Sequence, residues 1–196
     1  MLREIFRILK LFSSILLMNI EIRKIRIAVT GPESAGKTTL ALQLANLYQG
    51  QYVPEFAREY IEKLPRHYTF EDVEFIANAQ VKQYHDTKSS SVQLFFFDTW
   101  LIITKVWFTW VFGKTPAWLE KEILNCPIDL FLLCRPDLPW EADSVRENGG
   151  ENRTKLFEQY GEELNQYGFR FVEISGTGDD RLANAIAAIR NFNDLS

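Results

Sequence analysis

Gly31-Pro32-Glu33-Ser34-Ala35-Gly36-Lys37-Thr38 satisfies G-x-x-x-x-G-K-[ST] at every fixed position. It stands between an apolar run ending at Val29–Thr30 and a helical pattern opening near Lys37. Strand, glycine-rich turn and helix in that order are what a phosphate cradle requires. Glycines let the backbone fold back so that successive N–H groups converge on phosphate oxygens, and the helix N-terminus adds its dipole. Lys37 is spaced to reach β- and γ-phosphates, and the Thr38 hydroxyl to ligate Mg²⁺. Gly31, Glu33, Ser34, Ala35, Gly36, Lys37, Thr38 and Thr39 are therefore candidate ATP-binding residues.

Working outward, Ile25–Val29, Leu94–Phe97 and Ile128–Leu133 are apolar runs that read as strands buried on both faces, as in a parallel sheet covered by helices. Gln51–Val53 and Phe169–Ile174 are weaker strand candidates. Helical patterns cover Thr38–Tyr48, Glu55–Leu64, Phe70–His85, Thr154–Tyr167 and Asp179–Phe192. Thr69 and Asp72 stand like the two halves of a capping box before the third of these. The alternation predicts an α/β fold, a three-layer doubly wound parallel sheet with right-handed crossovers, of the P-loop nucleoside triphosphate hydrolase/kinase type. His85–Ser91 reads as a short polar loop, and 135–153, rich in Pro, Gly and charge, as a lid.

The 196 residues suit one domain, expected over 19–196, and the 46% hydrophobic content suits a packed core. A net charge of −4 argues against a nucleic-acid binder, since phosphate neutralisation needs surplus Lys and Arg. Cys126 and Cys134 lie outside any C-x-x-C pattern and without nearby His in the sequence, so they read as buried apolar thiols of a reducing compartment rather than as a zinc site. His67 and His85 read as surface residues. Residues 1–18 carry three basic residues and an apolar stretch below the about 20 residues that span a bilayer. No small-residue cleavage site follows them. They are expected to be an amphipathic appendage, or an extension upstream of a start at Met18, with an interfacial membrane helix as the third reading. Cytoplasmic location without stable membrane association follows.

The cradle implies a nucleoside triphosphate, and two features narrow the reaction. Phe95-Phe96-Phe97-Asp98-Thr99 ends a buried run in a carboxylate suited to Mg²⁺, but Thr99 stands where AAA-type ATPases usually carry a Glu that polarises water. No N-K-x-D tetrapeptide is present for reading guanine. Transfer to a small-molecule hydroxyl or phosphate remains. Its acceptor needs a carboxylate as base or orienter, and Glu55 and Asp98 are the candidates at strand ends, one for the acceptor and the other for the metal. Arg58, one turn beyond Glu55, reads as a phosphate clamp or as the partner of Glu55 or Glu62. Arg135, Arg146 and Arg153 in the lid are candidates to close on the transferring phosphoryl group. Trp107 and Trp140 are the candidate stacking surfaces for a flat acceptor, with Trp110 on the same helical face as Trp107.

With these motifs in place, the chain resembles the ribosylnicotinamide kinase domain of the NadR family. The resemblance rests on the P-loop, Pro54-Glu55-Phe56-Ala57-Arg58-Glu59-Tyr60, Asp98-Thr99 with Thr104-Lys105-Val106-Trp107, and Phe112-Gly113 with Pro116 and Trp118. It continues through Leu133-Cys134-Arg135-Pro136-Asp137-Leu138-Pro139-Trp140 and Ser175-Gly176 before Arg181. It implies ATP- and Mg²⁺-dependent phosphorylation of the 5′-hydroxyl of nicotinamide riboside in NAD salvage, with Ser175 and Gly176 in a turn that meets adenine. Longer family members add an adenylyltransferase domain with an H-x-G-H motif, and some a helix-turn-helix. Neither pattern occurs in this sequence, so adenylyl transfer and DNA-binding repression are not carried over. Another nucleoside or nucleotide kinase, and a non-catalytic ATP- or NAD-sensing module, are the alternatives.

Overall fold

A computed structural model of the chain describes residues 23–143 and 146–193; the expected appendage at 1–18 lies outside them. Five strands, β1 (Ile25–Thr30), β2 (Gln51–Val53), β3 (Leu94–Asp98), β4 (Leu130–Cys134) and β5 (Phe171–Ile174), form one sheet in the order β2-β3-β1-β4-β5. Every pairing is parallel. The helices among the described residues are α1 (Lys37–Tyr48), α2 (Phe56–Glu62), α3 (Phe70–Ser89), α4 (Leu101–Phe112), α5 (Ala117–Asn125), α6 (Glu151–Gln166) and α7 (Gly178–Asn193). None of them is long and apolar enough to cross a membrane.

Side-chain alternation along the strands builds two cores. Ile27, Val29, Phe96, Leu130 and Leu132 pack with Leu40, Ala41 and Leu44 of α1 and Ala185 and Ile189 of α7. Ala28, Phe95, Phe97, Phe131 and Leu133 face the other way, onto α3, α4, α5 and α6. β4 is apolar throughout, and β3 is apolar up to Asp98, because both faces of the sheet are covered there. The P-loop leaves the C-terminal end of central β1, where β3 and β4 flank it on opposite sides and the chain connections diverge, opening a crevice.

The sequence reading placed the five strands and five of the helices, and three corrections follow from packing. Helix α3 runs to Ser89, four residues beyond the predicted end and through most of the predicted polar loop. Two helices after β3 were not delimited. Leu101–Phe112 is apolar on nearly all sides and so lacks a 3.6-residue polar stripe. Cys126 does have a histidine neighbour, because α3 brings His85 Nε2 to 3.9 Å from its sulfur; His85 is exposed and both cysteines are buried, as predicted.

The predicted capping role of Asp72 is present: its carboxylate accepts from the Thr69 backbone N–H at 2.7 Å, from Tyr60 Oη at 2.9 Å and from the Arg66 guanidinium. The Arg66 guanidinium holds the Asp72 carboxyl well below the usual carboxylate range, against the opposing effect of burial. A depressed carboxylate stabilises the fold fully above its unfolded value, about 3.9, and loses that contribution as pH falls through the folded value. Asp72→Ala is expected to cost about 1–3 kcal/mol at pH 7 by urea unfolding. The gap to the parent protein narrows below about pH 4.

Candidate functional site

The glycine positions of the P-loop are dictated by geometry. Gly31 has φ 140°, and a Cβ there would lie 2.6 Å from the Cys134 carbonyl oxygen. Gly36 has φ 72°, with a Cβ meeting the Leu138 side chain at 2.9 Å. Neither position accepts a larger residue without moving backbone or neighbour.

Two buried arginines fasten the loop from outside. Arg153 donates to the carbonyls of Glu33 (3.0 Å), Ser34 (3.2 Å) and Leu138 (3.0 Å). Arg181 donates to the carbonyls of Ala35 (3.2 Å) and Gly176 (2.8 Å) and is ion-paired with Asp137. Because the peptide unit is planar and trans, a carbonyl turned toward an arginine sends the next N–H the opposite way. The N–H groups of Ser34, Ala35 and Gly36 thus face away from the arginines, and these three residues line the cleft.

That cleft has a volume of about 410 Å³. The P-loop forms one part of its lining, with Lys37, Thr38 and Thr39 at the helix start; Tyr68, Ile103, Trp107 and Trp110 form another. Glu55, Arg58 and Arg146 also line it. Lys37 Nζ folds back to the Pro32 carbonyl at 2.9 Å. Glu55, the residue before α2, is half-buried. Burial pushes its carboxyl above the ordinary carboxylate value; Lys37 opposes the shift, Asp98 reinforces it, and Arg58 and Arg146 oppose it.

Asp98 lies at the end of β3, 2% exposed and outside the cleft lining. Its Oδ2 accepts from Tyr52 Oη at 3.0 Å, while its Oδ1 is buried without a hydrogen-bond partner among the described residues. Thr99 follows at φ 69°, an uncommon conformation for a β-branched residue, costing about 1–3 kcal/mol. A buried carboxylate oxygen with nothing bound is costly, so the donor set of Thr38 and Asp98 fits the hard divalent cation that P-loop chemistry uses.

The irregular segment between β4 and α6 lies against the P-loop. Glu33 accepts from the backbone N–H groups of Glu147 (3.2 Å) and Asn148 (3.0 Å), and the Glu141 N–H donates to Ser34 Oγ (3.1 Å). Arg58 donates to Asp143 at 2.9 Å and Arg146 pairs with the same carboxylate at 3.1 Å. The structure therefore gathers the P-loop residues, Glu55, Arg58, Arg146 and Trp107 at one cleft. It places the other predicted residues elsewhere. Arg135 pairs with Glu173, Arg153 serves loop carbonyls, and Trp140 packs beside Gly149. The Gly176 N–H donates to Asp137, and neither Ser175 nor Gly176 lines the cleft.

Sequence reasoning missed Tyr52 and Tyr68, and it gave Arg181 no role. Tyr52 becomes visible only through the strand register, which sets it opposite Phe96, two residues before Asp98. Tyr68 and Trp107 form an edge-to-face pair with ring centroids 4.8 Å apart, and the Tyr68 hydroxyl donates to Glu147.

Residues 26–181 match the family model described as an AAA domain. The chain is 26% identical over 174 residues to the trifunctional NAD biosynthesis/regulator protein NadR of Salmonella typhimurium, a match covering 85% of this chain and 42% of the relative. It thus spans less than half of that relative's length. NadR crystal structures, one in complex with NR and one with NAD and AMP-PNP, superpose with TM-scores of 0.73 and 0.71. Both are 23% identical, over 89% of this chain and 52% and 50% of theirs. Deoxyadenosine kinase from M. mycoides superposes with a TM-score of 0.64 at 16% identity, over 85% of this chain and all of that one.

The arginine arrangement separates anchoring from phosphate contact. Arg153→Ala strips partners from three carbonyls and is expected to lower the unliganded protein's stability by about 2 kcal/mol or more in urea unfolding. A residue that only touched phosphate would leave that stability unchanged and weaken ATP binding alone.

Proposed function

The chain belongs to the AAA-domain family matched over residues 26–181, and from that premise we propose that it is an ATP-dependent small-molecule kinase whose acceptor is nicotinamide riboside. The observation that carries this reading is the continuity of one cleft from the phosphate cradle to an aromatic wall at Tyr68, Trp107 and Trp110. A nucleotide hydrolase needs no such extension. Carboxylates of Glu33, Glu55 and Glu147 share the lining with those aromatic rings, a combination that suits a flat cationic ring by stacking and charge. The similarity to NadR, crystallised with NR, supports the same acceptor. The likeness to deoxyadenosine kinase keeps another nucleoside kinase as the second reading.

In this mechanism the inward N–H groups of residues 34–36 and Lys37 hold the β- and γ-phosphates. Thr38 and Asp98 would hold Mg²⁺, which when bound neutralises phosphate charge. Tyr52 fixes Asp98 by binding Oδ2. Glu55, which lines the cleft where Asp98 does not, takes the acceptor's hydroxyl proton. The acceptor oxygen bonds to the γ-phosphorus as the bond to the β–γ bridging oxygen breaks, leaving ADP. Arg58 and Arg146, which line the cleft, supply counter-charges to the transferring phosphoryl group, and the segment carrying Arg146 and Glu147 acts as the lid that excludes water. The need for ATP supports a cytoplasmic location.

The test is ADP release by purified protein with Mg²⁺-ATP and a panel of nucleosides. Turnover with nicotinamide riboside alone supports the proposal, turnover with deoxynucleosides instead supports the second reading, and nucleotide binding without turnover points to a sensing module. Lys37→Ala should reduce kcat at least about a hundredfold while circular dichroism stays unchanged.

The elevated Glu55 carboxyl sets the pH profile. A base must be unprotonated, so a raised value moves the acid-side loss of kcat to higher pH than an ordinary glutamate gives. Glu55→Gln is expected to lower kcat about a hundredfold or more and to remove that limb, read from kcat against pH between 5 and 8.

A further inference from the structure

At the N-terminal end of the strands, opposite the end that carries the P-loop, three side chains of different chemistry converge. Cys126 caps the C-terminus of α5 just before β4, and Glu122 lies one turn earlier on the same face. His85 reaches them from the last turns of α3. Cys126 Sγ is 3.8 Å from Glu122 Oε2 and 3.9 Å from His85 Nε2, and the three donor atoms all lie within 4.8 Å of one another.

We propose that His85, Glu122 and Cys126 form a binding site for a thiophilic divalent cation of the zinc class. Bond lengths of about 2.3 Å to sulfur and about 2.0–2.1 Å to nitrogen or oxygen, at a tetrahedral angle, separate such donors by about 3.6 Å. The two pairs with Cys126 Sγ, at 3.8 and 3.9 Å, need contraction of a few tenths of an ångström, and the His85–Glu122 pair, within 4.8 Å, closes by side-chain rotation of the exposed His85 and the half-buried Glu122. The mixture of imidazole, carboxylate and thiolate selects zinc over the magnesium that accompanies ATP, because sulfur is a soft ligand. Three protein donors leave a fourth position, and the exposed ring of His85 leaves the site open to solvent there.

Burial pushes the Cys126 thiol up to about 11, so the metal-free site keeps its proton. Cation binding forms the metal–sulfur bond and releases that proton to solvent. Lys88 and Arg26 favour the resulting thiolate, and Glu122 opposes it until the metal binds. Arg26 itself is held by Thr87 Oγ1 at 2.9 Å and by the Tyr84 ring. The occupied site would tie α3 to the α5–β4 junction. Parallel strands put this junction at their N-terminal ends and the P-loop at their C-terminal ends, so neither site shares a ligand with the other.

The experiment titrates the full chain with Co²⁺, followed by the cobalt–thiolate charge-transfer band in the near ultraviolet, and then with Zn²⁺ in competition. One equivalent of Co²⁺, displaced by Zn²⁺, is expected, with the band retained in Cys134→Ser and lost in Cys126→Ser. Because Cys126 is buried and its replacement can disturb packing, the decisive variants are His85→Ala and Glu122→Gln at the more accessible positions. Each should weaken binding at least about tenfold and abolish the rise in melting temperature that Zn²⁺ gives the parent protein. Absence of a thiolate band in the parent protein, or a band of equal affinity in both variants, overturns the assignment. Neither result depends on the acceptor assay above.

Discussion

The fastening of carbonyl oxygens 33, 34 and 35 to Arg153 and Arg181 is the constraint from which the rest of the site follows. Backbone amides can bind a polyanion only if they converge, and convergence leaves the opposite carbonyls facing protein, where each would be costly unpaired. Two guanidiniums, each offering donors in a fixed fork, satisfy those oxygens and hold the loop's curvature before any nucleotide arrives. Gly31 and Gly36 complete the arrangement by letting the loop approach Cys134 and Leu138 more closely than any side chain would allow.

This division of labour explains what was legible in the sequence and what was not. The octapeptide at 31–38, the apolar central strands and the Thr69–Asp72 cap are local patterns, and local patterns survive in one dimension. Helix α4 escaped delimitation because it is packed on most sides, so periodicity had no polar face to report. Charge in a loop predicts that an arginine will find oxygen but not whose. Arg153 reads from sequence as a phosphate ligand and stands in the structure as a brace for the loop, while Arg146 does reach the cleft. Tyr52 and Asp98 are 46 residues apart and meet only because β2 pairs with β3 in a particular register.

The two faces of the sheet also carry different duties. The α1–α7 face packs small and branched side chains beneath the helix that begins at the phosphate cradle. The opposite face is rich in aromatic residues, and Tyr68, Phe70, Trp107 and Phe112 extend its core outward to the cleft wall. The wall is therefore continuous with the hydrophobic core, and its rings are held by packing rather than by the cleft's contents.

Glu33 carries a consequence of its own. One carboxylate within the P-loop grips the amides of residues 147 and 148, and Arg153, a few residues further along, grips the P-loop in return. The two stretches form a closed circuit of hydrogen bonds. Substitutions that break the Glu33 bonds are therefore felt on both stretches, because each supplies partners to the other.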